Sequence, residues 1–148
     1  ASSANSERDE SEYGDGALEL VKASARSACE QAAVSPTDLD LLELHDAFSV
    51  EELLYSEAIG VCEPGEGAAY LARGSSAING RCAINASGGL IGMGHPLGPT
   101  GIGQIAELTR QLRGEASGRQ HERARLGMAH MIGLGSVAIA HVLAAPAR

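Results

Sequence analysis

An α/β domain, a mixed β-sheet packed with helices, is the fold class this sequence predicts, and three observations carry it. Apolar residues recur at three- and four-residue spacing over 17–34 and again after Gly101. Two apolar runs near the C-terminus flank a glycine-rich turn, as in a hairpin. Between these regions a short apolar run, LLEL, breaks off into a polar pair before another helical run. With 148 residues, 44% apolar and 20% charged, the chain is long enough for one packed domain. One Phe, three Tyr and no Trp leave the core to Ala, Val, Ile and Leu.

The elements follow in order. ASSANSERDESEYGDG is polar throughout and reads as a flexible segment over 1–16. Leu18, Val21, Ala25, Ala28, Cys29 and Ala32 form one face of an amphipathic helix over 17–34. Ser35 before Pro36 predicts a capped helical turn. LLEL predicts a short strand ending at His45–Asp46. Ser49 with Glu52 then reads as a capping box for a helix that stops at Gly60. Residues 62–76 have the composition of a long loop, and RCAIN (81–85) of a short strand. Ile102, Ile105, Ala106, Leu108 and Leu112 give the next helix its apolar face, and RLGMAHMIG and SVAIAHVL close the chain as two strands. The domain is expected over 17–143, with a tail over 144–148.

A net charge of −8 argues against nucleic acid as the main partner. Arg113, Arg119, Arg123 and Arg125, interleaved with Glu115 and Glu122, read as solvated surface. Cys29, Cys62 and Cys82 form an odd set without C-x-x-C spacing. That disfavours a disulfide scaffold or a zinc site and fits reduced thiols in the cytoplasm. No run reaches the length of a membrane span, no signal peptide is legible, and the missing initiator Met points to a processed or partial chain.

Chemistry concentrates in SGGLIGMGHPLGPTG (87–101), where six glycines and two prolines surround His95. Such a loop lets the backbone approach a ligand and hold its shape. His95 can act as a base or donate to an oxyanion; a phosphate-binding loop and a plain tight turn are the alternatives. The stretch lacks the Lys-Ser/Thr ending of a P-loop. His45, between a strand end and a helix start, sits where α/β sheets bind ligands. His130 and His141 fall within strands, and His121 in the charged loop receives no role.

LLELHDAFSVEELLYSEAIGVCEPGEG, INASGGLIGMGHPLGPTGIGQIAELTRQLRGEA and MIGLGS, in this order, resemble the C-terminal half of a thiolase. The type it is most similar to is the sterol-carrier-protein thiolase and its lipid-transfer-like kin, with H-D-C-F where other thiolases show N-E-A-F. The resemblance covers roughly residues 17 to 143. It implies the C-terminal half of a thiolase fold, lacking here the strand that opens that half. It also implies that His45 helps form the oxyanion hole for an acyl-CoA thioester, and that His95 of G-H-P activates a nucleophilic cysteine and lines the same hole. Gly94 would border the substrate, and Gly133 and Gly135 would match the C-x-G-G-G segment that closes over the acyl group. Coenzyme A enters as the substrate's carrier, and no cofactor or metal is implied.

The departures are equally specific. The nucleophilic cysteine belongs to the N-terminal half, which these residues do not contain. Ala47 stands at the Cys of H-D-C-F and Met131 at that of C-x-G-G-G. The expected activity is thiolase-like acyl transfer, completed by an N-terminal half or partner chain within a homo- or hetero-oligomer. Retro-aldol cleavage of an acyl-CoA and a non-catalytic acyl-binding or assembly role are the alternatives. The lost cysteines favour them, and the retained histidines weigh against the aldolase.

Overall fold

A computed structural model describes residues 1–6, 16–133 and 137–146. Its centre is a mixed sheet of five strands: β1 (Ser2–Ser6), β2 (Leu41–Glu43), β3 (Ala83–Ile84), β4 (Leu126–Gly133) and β5 (Val137–Ala144). They lie in the order β1-β5-β4-β2-β3. β2 runs parallel to both β3 and β4, whereas β5 is antiparallel to β4 and β1.

Alternation along the strands divides the apolar residues between two faces. Leu42, Met128, Ala140 and Val142 meet Val21, Ala25, Ala28 and Cys29 of α1 (Gly16–Ala32) and Tyr55 and Ile59 of α2 (Ser49–Ile59). Their neighbours Leu41, Ala83 and Ala129 meet Leu108 on the other face, from α5 (Thr100–Arg113). Two short helices, α3 (Gly67–Ala72) and α4 (Gly89–Met93), lie between. No helix among the described residues is long and apolar enough to cross a membrane.

Several expectations change. The opening strand is present: residues 2–6 pair with β5 from Ser2 opposite His141 to Ser6 opposite Val137. SSANS carries no apolar alternation, so only backbone pairing reveals it. Of the segment expected to be flexible, residues 7–15 lie outside the described residues. The loop over 62–76 contains α3, and the glycine-rich stretch contains the single turn of α4. Helix α2 is capped one residue earlier than the Ser49–Glu52 spacing suggests: the Phe48 N–H donates to Glu51 Oε2 at 2.9 Å. It ends at Gly60 in the left-handed conformation, φ 94°.

The arginine-rich loop is also more than solvated surface. The Arg119 guanidinium donates to both oxygens of buried Glu107, Nη2 to Oε2 at 2.7 Å and Nε to Oε1 at 2.9 Å. Beside it His121 is buried, its N–H donating to Gln111 Oε1 at 2.8 Å.

Candidate functional site

Three parallel strands carry the motifs to one edge of the sheet. Because β2, β3 and β4 point the same way, the segments after β2 and β3 and the end of β4 emerge side by side. His45 leaves β2, the glycine-rich loop leaves β3, and Met131, Ile132 and Gly133 end β4. They line one cavity of about 360 Å³ together with His95 and Leu97. The rings of His45 and His95, fifty positions apart in the chain, stand edge to face with centroids 5.1 Å apart.

Two buried carboxylates hold the loop against β2. Glu43 accepts from the Ser87 hydroxyl at 2.5 Å and from the Ser87 N–H at 3.1 Å. Asp46 Oδ1 accepts from the Leu90 N–H at 2.6 Å. Gly89 sits at φ 62°, and a Cβ there would overlap the Asp46 carboxylate. This is where the loop needs a residue without a side chain: the backbone itself is the ligand of Asp46. Burial raises the Glu43 carboxyl to about 7, against the opposing pull of its two Ser87 hydrogen bonds.

His95 is held at Nδ1, 3.0 Å from the Thr100 hydroxyl. That hydroxyl spends its single proton on the Pro96 carbonyl at 2.7 Å, so Nδ1–H is the donor to Thr100. Nε2 of His95 is then a free base. His45 is buried, and its Nδ1 lies 3.5 Å from Glu51 Oε2. Burial lowers its pKa, opposed by Glu51, reinforced by His95 and opposed again by Asp46. His130, behind the site on β4, is fully buried and pairs through Nε2 with Ser24 Oγ at 3.0 Å. Desolvation takes its pKa down to about 3.

The other sequence-expected residues divide. Gly133 lines the histidine cavity. Gly94 does not: it borders a second cavity of about 220 Å³ behind the loop, with Glu43, Ser87 and Thr100. Gly135 lies outside the described residues. His141 lines a further cavity beside Met131 and Ile139. Cys29 and Cys82 are buried in the interior, Cys62 is half-buried, and none of the three lines the histidine cavity. Among the described residues no cluster of His, Cys, Asp or Glu is suited to hold a metal. Sequence reasoning missed Glu43, Glu51 and Thr100 as parts of the site. A carboxylate inside a buried three-residue strand was the available signal for Glu43.

The two segments that carry the histidines also hold exposed apolar residues: Phe48, Leu97 and Ile102 are 70%, 70% and 72% exposed, with Ile91 and Met93 exposed as well, and Leu97 lines the cavity itself. Patches of this kind mark interaction surfaces.

Comparison with known proteins agrees with this architecture. Residues 2–145 match the family described as thiolase C-terminal domain-like. Sterol carrier protein 2 of Rattus norvegicus is 48% identical over 121 residues, which are 82% of this chain and 22% of that protein. An acetyl-CoA acetyltransferase of Methanothermobacter thermautotrophicus is 48% identical over 119 residues, 80% of this chain and 31% of that protein. The chain thus spans less than a third of these relatives. Among solved structures, an Ltp2–ChsH2(DUF35) aldolase superposes with a TM-score of 0.82 at 21% identity, covering 99% of this chain and 39% of that one, a likeness of fold. The chain belongs to the thiolase C-terminal domain-like family.

Proposed function

We propose that this chain supplies the histidine wall of an acyl-CoA site, in which a thioester carbonyl is polarised while the adjacent carbon–carbon bond breaks. The observation that carries this is the His45–His95 pair, edge to face on one cavity. The pair works while its two Nε2 atoms share one proton. His45, beside Glu51, donates to the thioester oxygen; His95, anchored on Thr100, takes or returns a proton. The exposed apolar residues on the segments of the two histidines support completion of the cavity by an upstream thiolase half or a partner chain within an oligomer. The three free cysteines support a reducing compartment such as the cytoplasm.

Two reactions fit this wall. In thiolase-like acyl transfer, His95 takes the proton of a thiol of the other half, the thiolate attacks the β-keto carbon, and the Cα–Cβ electrons pass to the enolate held by His45. The proton returns to Cα, and free CoA then takes the acyl group while its own thiol proton passes to the released thiolate. In retro-aldol cleavage, His95 takes the β-hydroxyl proton, the β-carbon becomes a carbonyl, and the Cα–Cβ electrons form the same enolate. His95 then returns that proton to Cα, so no further reactant is needed. One observation favours the second reaction: Met131, which has no acid/base group, lines the cavity at the position where the family keeps an acid/base cysteine. The named relatives divide in the same way, an acetyltransferase on one side and an aldolase fold on the other.

The test uses the complete protein, upstream half included, with β-hydroxyacyl-CoA and with β-ketoacyl-CoA plus free CoA, read by mass spectrometry. A ketone or aldehyde with a shortened acyl-CoA supports retro-aldol cleavage. An acyl-enzyme with acetyl-CoA supports acyl transfer. Ligand retention without turnover of either substrate would establish the non-catalytic role instead.

A further inference from the structure

Glu51 lies outside the H-D-A-F and G-H-P residues of the site, yet it is the carboxylate that stands against His45. Both of its oxygens are fixed: Oε2 accepts from the Phe48 N–H at 2.9 Å and Oε1 from the Tyr55 hydroxyl at 2.9 Å. The side chain is 16% exposed, set between the helix start and the site. On the other side, His45 Nδ1 is buried without a hydrogen-bond partner at ordinary distance, and Glu51 Oε2 lies 3.5 Å away. A buried ring nitrogen without a partner is costly, and catalytic hydrogen bonds of this length tighten when a ligand closes the site.

We propose that Glu51 is a positioning residue for His45: it holds the proton on Nδ1, turns Nε2 to the cavity, and supports the imidazolium when Nε2 carries a proton. This rests on the functional reading above and adds the residue that makes the buried histidine usable. Without a carboxylate at Nδ1, a histidine this buried would resist taking the second proton. The remaining titratable groups around the ring are Asp46 beside it, His95 across the cavity and His130 on β4. Asp46 is engaged by the Leu90 N–H, so it does not replace Glu51. Tyr55 links the arrangement to the interior, its ring 6.3 Å from that of His130.

Histidine-selective ¹⁵N spectra of the complete protein, with His45 assigned by His45→Asn, test this directly. In the unaltered protein the neutral His45 ring is expected to carry its proton on Nδ1; a bare Nδ1 would overturn the proposal without any further variant. In Glu51→Gln the His45 titration midpoint is expected to fall by about one unit, a tenfold loss of proton affinity. Glu51→Asp, which keeps the charge, should recover part of that shift. An unchanged His45 midpoint in Glu51→Gln refutes the role. Turnover is scored separately. A protein inactive on acyl-CoA but with Glu51-dependent His45 titration defeats the functional reading alone, and the reverse result defeats this one alone.

Discussion

Two buried carboxylates close enough to feel each other's charge have met opposite fates. Glu107, on α5, faces the Arg119 guanidinium through two hydrogen bonds and Gln111 through a third. Burial pushes its pKa up, but those bonds and the neighbouring positive charge bring it below the ordinary carboxylate range. Glu43, in β2, has only a serine hydroxyl and a loop N–H as donors, and burial carries it to about 7. A cation closes the first arrangement into a structural clasp. The second keeps a carboxyl that titrates near neutrality under the loop bearing His95. Both residues are 2% exposed, so accessibility alone does not separate them; the donors do, and burial weighs more heavily on Glu43.

The sharpest way to break the site's support is Gly89→Ala. It adds a Cβ into the Asp46 carboxylate at a positive φ, and a loss of about 3 kcal/mol in denaturant unfolding is expected. Gly98→Ala, where a Cβ meets nothing within 4 Å, serves as the control and should change little. Breaking the clasp is expected to cost less. Arg119→Met leaves Glu107 buried without its cation, and about 2 kcal/mol should be lost. That is less than for a fully buried pair, because the Arg119 side chain is 39% exposed.

The last effect is read along the pH axis. The folded pKa of Glu43 is raised from 4.5 to about 7, so the stability it contributes is complete below 4.5 and is lost as pH rises to 7. His130 is lowered from 6.5 to about 3; its contribution is complete above 6.5 and is lost as pH falls toward 3. Between 4.5 and 6.5 the two slopes oppose each other. Glu43→Gln should therefore uncover a stability that rises with pH across this window, measured by denaturation at a series of pH values. An unchanged slope would mean that Glu43 titrates as it does in the unfolded chain.

The same contrast explains what could be read beforehand. Helices α1 and α5 and the β4–β5 hairpin announce themselves because their apolar faces repeat with the period of the element. SSANS does not, because edge pairing asks only for backbone. His45 and His95 were legible as motif residues. Their supports were not: Glu43 and Asp46 bind backbone and hydroxyl groups some forty-four positions away, and no local spacing encodes such a pairing. Glu51 was hidden by a single-residue shift of the helix cap, since Glu52 matched the capping pattern and Glu51 makes the bond. Arg119 looked like one of several solvated arginines because its carboxylate comes from a helix twelve positions earlier.

The central claim is that His45 and His95 act as one unit on an acyl-CoA thioester, and the most direct measurement is a double-mutant cycle. Turnover of β-hydroxyacyl-CoA and of β-ketoacyl-CoA is measured for the complete protein, His45→Asn, His95→Asn and the double variant. Each single change is expected to lower turnover at least about a hundredfold. The double variant should be little worse than the weaker single one, because groups acting together are not additive. Wild-type turnover in either single variant, or losses that simply multiply in the double, would contradict a shared site.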